Sequence, residues 1–230
     1  MIRVVAFDLD DTLWHVDPVI IRAEQRLAEW LSTTLPGIRY ERELAVQIRQ
    51  DLVSADPGLA HRLTDLRQAV ITQVIIRHQV DPVEASRLAT AAMEKFLAWR
   101  NEVDFFEGVL ETIESLAADY QLGAITNGNA NIRQTGLDRH FSFAFSAEEV
   151  GAPKPEPDLF HHALVHTGCE PQEMVYVGDD PVKDVDAANR VGLRTIWLRN
   201  DRRPGPAETT PDLIIDRIGE LPDALEKLRR

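Results

Sequence analysis

Short apolar runs recur near the start of the chain and throughout its second half, and helical patterns separate them. The runs are rich in β-branched residues and carry few charges, which is typical of strands buried on both faces of a parallel sheet. They occupy residues 2–7, 121–126, 143–147, 174–179, 194–199 and 212–216. Helical periodicity appears at residues 108–120, 157–168 and 184–191. This alternation predicts a doubly wound α/β fold with a mostly parallel sheet.

Residues 15–103 interrupt this alternation, because they contain no convincing strand. Their apolar positions instead follow helical spacing. The predicted helices lie at residues 20–35, 41–53, 63–79 and 81–100. The last of them opens with Asp81 as its N-cap and Pro82 as its first helical residue. The sequence therefore predicts an α/β core formed by residues 1–14 and 104–230, interrupted by an all-helical domain at residues 15–103.

Composition and charge restrict the class of partner. The 230 residues include 38 acidic side chains against 25 Lys plus Arg, a net charge of −13, which argues against a nucleic-acid surface. The N-terminal MIRVVAFD lacks the apolar segment of a signal peptide, and no run approaches the length of a membrane span. One cysteine, Cys169, rules out an internal disulfide framework. We therefore expect a cytoplasmic protein that binds neither nucleic acid nor membrane.

A cluster of negative charge follows the first predicted strand, in the stretch AFDLDDTL. Asp8, Asp10 and Asp11 stand close together there, and neighbouring carboxylates repel one another unless a cation gathers them. Ligands of an open parallel sheet sit beyond the carboxyl ends of its strands. The polar residues expected at that edge are Asp8, Asp10, Thr12, Thr126, Asn127, Gly128, Asp179, Asp180 and Asp184, with Lys154 just before a helix.

In chain order, these residues form D-x-D-x-T, I-T-N-G, a lone lysine before proline, and V-G-D-x-x-x-x-D. The set resembles the haloacid dehalogenase superfamily of hydrolases, whose Rossmann-like core carries a helical cap of the first type. The resemblance covers the whole chain and implies that residues 15–103 form the cap, with hinges near 15–18 and 101–107. It also implies hydrolysis of phosphoric monoesters with Mg²⁺ as cofactor and an aspartyl-phosphate intermediate.

The resemblance also implies roles for individual residues. Asp8 is the implied nucleophile, and Asp10 is the implied general acid/base. The residues implied to bind the phosphoryl group are Thr126, Asn127, Gly128 and Lys154. The implied ligands of Mg²⁺ are Asp8, Asp10 through its carbonyl oxygen, and Asp179, with Thr12 and Asp184 in support. The positive charges of Mg²⁺ and the lysine would then offset most of the negative charge of the carboxylates.

Local similarity points to one branch of the superfamily. The segments FDLDDTL, AITNGNA, FLAWR and VGDD-x-x-x-DV are similar to bacterial phosphatases that act on flavin mononucleotide and on 5-amino-6-(5-phospho-ribitylamino)uracil, an intermediate of riboflavin biosynthesis. Other sugar-phosphate and nucleotide monophosphate substrates stay open. The implied partner is a phosphorylated small molecule, and the chain is expected to act as a monomer or homodimer.

Three other functions stay open on the same fold. A 2-haloacid dehalogenase would use the first aspartate to attack carbon, but it needs neither a second acidic residue nor a metal. A phosphomutase would return phosphate to its product, and a non-catalytic binding protein would release none. Trp14 lies close to the acidic stretch, yet buried tryptophans more often fill a core than stack on a ligand. Asp11 is expected to take no part in the chemistry.

Overall fold

The structure is a computed structural model that describes residues 1–200 and 207–229. Its strands are β1 (Val4–Phe7), β2 (Gln121–Thr126), β3 (Phe141–Ser146), β4 (Met174–Gly178), β5 (Arg194–Leu198) and β6 (Leu213–Ile215). Within the described residues they form one six-stranded sheet in the order β3-β2-β1-β4-β5-β6, and each neighbouring pair is parallel. The predicted α/β fold is confirmed, and every predicted strand is present.

Among the described residues, five α-helices lie between β1 and β2, two between β3 and β4, one between β4 and β5, and one after β6. They are α1 (Val16–Thr34), α2 (Arg42–Ala55), α3 (Leu63–Arg77), α4 (Pro82–Arg100), α5 (Val109–Leu116), α6 (Ala147–Val150), α7 (Asp158–Thr167), α8 (Ala187–Val191) and α9 (Leu221–Leu228). As predicted, Asp81 caps α4, because its side chain accepts the N–H groups of Val83 and Glu84.

Three helices differ from their predicted bounds by several residues, and the first of them, α1, begins at Val16 rather than at residue 20. α5 begins only after Gly108, whose φ of 78° lies in the left-handed region, and it ends at Leu116, four residues before the apolar pattern does. The helix predicted at 184–191 is a wide π-helical turn over Pro181–Asp186 followed by α8. Wide turns of this kind carry an extra residue, which changes the direction of the side chains they hold.

The chain forms two compact units, Met1–Val16 with Asp104–Arg230, and Asp17–Val103. In the α/β unit every residue of β1 is buried, since this strand lies inside the sheet and is covered on both faces. The helical unit has its own core. The face of α1 that is buried in this core carries one apolar residue on nearly every turn: Ala23, Leu27 and Leu31. Among the described helices, none combines the length and the apolar character that crossing a bilayer requires.

Candidate active site

Sheet order determines which polar residues meet. β1 lies between β2 and β4, so the carboxyl ends of these three strands are neighbours. The N–H of Asp8 donates to the carbonyl of Val177 at 2.9 Å, which extends the pairing of β1 with β4 by one residue. Asp8, Thr126 and Asp179 follow or end these strands and are all buried. The edge predicted to bind a ligand is therefore where the polar side chains lie.

Three carboxylates form the centre of this edge. Asp8, Asp179 and Asp184 each offer one oxygen atom, and these atoms lie within 4.8 Å of one another. All three residues are buried. Carboxylates held this close in a buried place repel one another when ionised, so the arrangement requires positive charge beside it.

Lys154 supplies part of that charge. Its Nζ donates to Asp8 Oδ1 at 2.8 Å, to Asp184 Oδ1 at 2.6 Å and to the hydroxyl of Tyr176 at 2.6 Å. An ammonium has three donors, so each of them has a protein acceptor. Its side chain is only 2% exposed. For Lys154 to donate to a phosphoryl oxygen, one of these three hydrogen bonds must be exchanged.

Burial and charge shift the pKa values of these groups in different directions. Burial raises the pKa of Asp8 to about 8, with Lys154 opposing the rise and the carboxylates of Asp184 and Asp179 adding to it. Burial alone would lower the pKa of Lys154, but Asp184 and Asp8 outweigh it and the pKa is raised. The lysine therefore stays a cation, and a second cation at the carboxylates would favour the ionised form of Asp8.

Asp184 reaches the cluster because of the π-helical turn and a glycine. Its Oδ2 accepts the N–H of Asp180 at 2.9 Å, which fixes its carboxylate against the end of β4. A Cβ on Gly178 would overlap the carboxyl group of Asp184, so only glycine leaves room for it there. In the V-G-D pattern, the glycine is therefore required by the space that Asp184 occupies, and the aspartate supplies a polar side chain.

Asp179 is held on both of its carboxylate oxygens. Thr12 Oγ1 lies 3.3 Å from Asp179 Oδ1 and 3.3 Å from Asp8 Oδ2, so this hydroxyl links the two carboxylates. Nδ2 of Asn200 donates to Asp179 Oδ2 at 3.1 Å. The indole N–H of Trp197 donates to the carbonyl oxygen of Asp179 at 2.9 Å. Residues on and after β5 therefore orient a group that stands at the end of β4.

The loop after β1 places Asp10 beside the cluster without joining it. Asp10 is half-buried, and its Oδ1 accepts the indole N–H of Trp14 at 2.9 Å. Asp11 adopts a left-handed φ of 63°, and its Oδ1 accepts the N–H of Val16 at 3.1 Å. Asp11 thus shapes the loop that carries Asp10, which no sequence pattern indicated.

The end of β2 and the residues that follow it form hydrogen bonds with one another and with the backbone of Lys154. The N–H of Gly128 donates to Thr126 Oγ1 at 3.0 Å, which leaves the proton of that hydroxyl to be donated. Both ends of the Asn127 side-chain amide contact the backbone of Lys154, because Nδ2 donates to the lysine carbonyl at 2.8 Å and Oδ1 accepts the lysine N–H at 2.7 Å. Asn127 therefore fixes the backbone from which the ammonium extends.

Three residues that sequence reasoning missed also belong to this network, namely Trp197, described above, Tyr176 and Asn200. Tyr176 is fully buried within β4, and its hydroxyl donates to the carbonyl of Ile125 at 2.8 Å while it accepts from Lys154. The only indication of this role in the sequence is a tyrosine within an otherwise apolar strand, because a buried tyrosine hydroxyl needs a hydrogen-bond partner. Asn200 gave no signal, because its bond to Asp179 is formed by two segments distant in sequence.

The donor set fits a small hard dication. Carboxylate oxygens are the ligands that Mg²⁺ prefers in proteins, and the three carboxylates, if ionised, exceed the one positive charge of Lys154 that contacts them. Asp8 and Asp179 have their oxygens directed by Thr12, as supporting hydrogen bonds commonly do for metal-binding carboxylates. The described residues thus offer a suitable cation site on chemical grounds.

Comparisons with known proteins cover nearly the whole chain. A family model described as haloacid dehalogenase-like hydrolase matches residues 2–192. The chain is 33% identical to the 5-amino-6-(5-phospho-D-ribitylamino)uracil phosphatase YigB of Escherichia coli (strain K12), over 96% of this chain and 94% of that protein. It is 30% identical to a glyceraldehyde 3-phosphate phosphatase of Methanopyrus kandleri over 100% of both chains.

A solved structure is also similar over its full length. The crystal structure described as 2-haloacid dehalogenase from Pseudomonas syringae pv. Tomato DC3000 matches with a TM-score of 0.93 and 38% identity, over 99% of both chains. The same fold and helical insertion therefore occur in a protein named for a different reaction. The residues at the sheet edge, rather than the fold, must decide the chemistry.

Proposed function

This chain belongs to the haloacid dehalogenase-like hydrolase family and is a phosphatase, and on that premise we propose that it is a Mg²⁺-dependent enzyme that hydrolyses a small phosphate monoester through an aspartyl-phosphate on Asp8. The observation that carries the proposal is the setting of this carboxylate. Oδ1 of Asp8 accepts from Lys154 and Oδ2 lies beside Thr12, with Asp179 and Asp184 close by.

The reaction divides into two displacements at phosphorus. A carboxylate oxygen of Asp8 forms a bond to phosphorus while the bond to the ester oxygen breaks, and Asp10 gives its proton to that departing oxygen. Asp10 then takes a proton from water, whose oxygen attacks phosphorus and releases Asp8 and inorganic phosphate. Atoms and charge balance without any co-reactant other than water.

The remaining residues stabilise charge around the phosphoryl group. The hydroxyl proton of Thr126 is available to a phosphoryl oxygen, and Lys154 neutralises both the nucleophile and the incoming phosphate. When bound, Mg²⁺ would be held by Asp8, Asp179 and the carbonyl of Asp10, and would neutralise negative charge on the phosphoryl oxygens. Thr12 and Asp184 keep the carboxylates and the ammonium in place.

We extend the proposal to the two units and to the setting of the protein. Every residue of the polar network lies in the unit formed by Met1–Val16 and Asp104–Arg230, which supports a catalytic role for this unit. The helical unit, residues 15–103 in the sequence-based division, would then act as a cap domain that selects the substrate. The single cysteine, Cys169, suits a reducing cytoplasm.

For the substrate we propose 5-amino-6-(5-phospho-ribitylamino)uracil or flavin mononucleotide, which would place the reaction in riboflavin biosynthesis. The support is full-length similarity to a phosphatase named for the first compound, together with the motif segments. The test is a phosphate-release assay with Mg²⁺ over these two compounds, glyceraldehyde 3-phosphate, and other sugar and nucleotide monophosphates.

The expected result of that assay is the highest kcat/KM on the two ribityl phosphates. An Asp8→Asn protein purified in the same way is assayed beside the unmodified protein and is expected to release no phosphate. A higher kcat/KM on glyceraldehyde 3-phosphate or on nucleotides would reject the proposed substrate but would agree with the phosphatase activity. Phosphate release that Asp8→Asn retains would reject the nucleophile.

A 2-haloacid dehalogenase is the second candidate, because a protein so named is 38% identical over nearly the whole chain. In that reaction an Asp8 oxygen would attack carbon and expel chloride, and neither Asp10 nor a dication would be needed. The test is chloride release from 2-chloropropionate in EDTA. Chloride release at a rate above that of phosphate release would favour this candidate, whereas none is expected here.

A further inference from the structure

Trp14 has one polar group, and it points at Asp10. The indole ring is fully buried, and its Nε1–H donates to Asp10 Oδ1 at 2.9 Å. A tryptophan has a single donor and no acceptor, so this hydrogen bond uses the entire polar capacity of the side chain. Trp14 is therefore more than core packing, although packing is what the sequence favoured.

Both the backbone and the ring of Trp14 are held by neighbouring residues, which restricts the direction of the indole N–H. The carbonyl of Trp14 accepts the N–H of Asp11 at 2.8 Å, which closes the loop that begins at Asp10. The ring of Phe105 meets the indole edge-to-face with centroids 5.6 Å apart. Close by, the N–H of Phe106 donates to the carbonyl of Leu13 at 2.9 Å. These contacts anchor the donor to the segment that follows the helical unit.

We propose that Trp14 is the positioning residue for the general acid/base, because its indole N–H holds Oδ1 of Asp10 and so fixes the orientation of that carboxyl group. The hydrogen bond restricts rotation of the carboxyl group, so the orientation in which Asp10 meets the ester oxygen depends on the indole N–H. This inference rests on the proposed phosphatase function and on the role of Asp10 within it.

The role predicts a dependence on the leaving group that a purely structural tryptophan would not have. The leaving group of a phosphate ester of an acidic phenol departs as a stable phenolate and gains little from a positioned acid. The alkoxide of an alkyl phosphate, in contrast, requires a proton as its bond to phosphorus breaks. Loss of the indole N–H should therefore slow the hydrolysis of alkyl phosphates much more than that of aryl phosphates. The relevant constant is kcat/KM, which covers the first phosphoryl transfer and excludes hydrolysis of the intermediate.

The experiment compares Trp14→Phe with the unmodified protein on p-nitrophenyl phosphate and on the primary alkyl phosphate that the unmodified protein hydrolyses fastest. We expect kcat/KM to fall roughly 10- to 100-fold on the alkyl ester, a part of the typical contribution of general acid catalysis, and by less than about threefold on the aryl ester. A second version replaces Trp14 by benzothienylalanine, which keeps the shape of the ring but has sulfur in place of N–H.

Two controls separate orientation from stability. Phe105→Leu loosens the packing that orients the indole but keeps its N–H, so any leaving-group-dependent loss should be smaller than with Trp14→Phe. In an Asp10→Asn background, Trp14→Phe should cause no further leaving-group-dependent loss, because the group that it positions is absent. A loss of equal size on both esters with Trp14→Phe and with benzothienylalanine would overturn the inference and leave the phosphatase intact. Failure of the unmodified protein to hydrolyse either ester would overturn both.

Discussion

Nζ of Lys154 lies 2.6 Å from the hydroxyl oxygen of Tyr176, and this contact connects the ammonium to the interior of the sheet. The hydroxyl proton is directed at the carbonyl of Ile125 on β2, so the tyrosine links β4, β2 and the lysine. The side chain of Tyr176 can reach across β1 to β2 because the residue beside it in register, Ala6, is small. The lysine is thereby placed by three separate segments of the chain.

Removing this hydroxyl in Tyr176→Phe should weaken both stability and catalysis. The ammonium loses one acceptor and the carbonyl of Ile125 loses its donor, and each buried group left unsatisfied costs about 1–3 kcal/mol. We expect a lower melting temperature and a decrease of about tenfold in kcat/KM. The matched control is Tyr120→Phe, which removes a hydroxyl from the same unit away from the carboxylates. Equal kinetics for the two variants would contradict the role of Tyr176.

The amide of Asn127 should matter through the backbone of Lys154. Asn127→Ala removes both hydrogen bonds to the backbone of Lys154, and we expect roughly a 10- to 100-fold decrease in kcat/KM, as small displacements of a positioned group commonly produce. Asn131→Ala removes an asparagine from the same loop that caps the N–H groups of Arg133 and Gln134. It should lower stability more than activity. If the two variants lose activity equally, Asn127 acts only on the loop.

All three tyrosines of the chain should titrate above their ordinary pKa of 10.0. Burial raises the pKa of Tyr40 and of Tyr120, with Arg67 and Arg229 respectively opposing the rise, and burial with the carboxylates of Asp184 and Asp8 raises that of Tyr176. The folded chain therefore holds these protons more tightly than the unfolded chain does. The resulting stability is complete below the ordinary value and is lost as the pH rises through the folded values.

The measurement is the ultraviolet absorbance of phenolate during an alkaline titration, in buffer and again in urea. The native curve should lie at higher pH than the denatured one, and urea midpoints should fall as the pH rises above about 10. Tyr40→Phe and Tyr176→Phe would assign the separate steps. Coinciding native and denatured curves would show that the tyrosines are not buried as described.

Asn200 should tune the affinity for Mg²⁺ through Asp179. Its amide occupies Oδ2 of that carboxylate, and loss of such a supporting hydrogen bond typically weakens metal binding by about 10- to 100-fold. Activity should disappear in EDTA and return with Mg²⁺, and Asn200→Ala should need more Mg²⁺ for half-maximal activity. Tb³⁺ luminescence gives a readout that does not depend on turnover. Unchanged Tb³⁺ and Mg²⁺ titrations in this variant would remove Asn200 from the site.

The sequence predicted the parts of this molecule that are encoded locally. The strand at Gln121–Thr126 was predicted at its observed bounds, because apolar β-branched runs between polar residues leave few alternatives. The carboxylates were recognisable because charge at the end of a buried strand is unfavourable without a function. Tyr176, Asn200 and the bond of Trp14 to Asp10 were not, since each depends on contacts that only the folded chain creates.

The helix boundaries show the same limit. The periodicity at 108–120 continued past Leu116, yet the helix ends there and turn residues complete the segment. The wide turn over Pro181–Asp186 has no pattern of its own in a single sequence, because it exists to bring Asp184 against Gly178. Backbone irregularity that serves a tertiary contact is not visible in hydrophobic spacing.

The central claim is that Asp8 takes the phosphoryl group, and trapping the acyl phosphate tests it most directly. Protein mixed with Mg²⁺ and its fastest substrate is quenched in acid and treated with borohydride, which reduces an aspartyl-phosphate to homoserine. Peptide mass spectrometry should find homoserine at position 8 alone, and only when substrate is present, while Asp8→Asn shows neither turnover nor label. Unreduced Asp8 in protein that is releasing phosphate, or label at another carboxylate, would contradict the account.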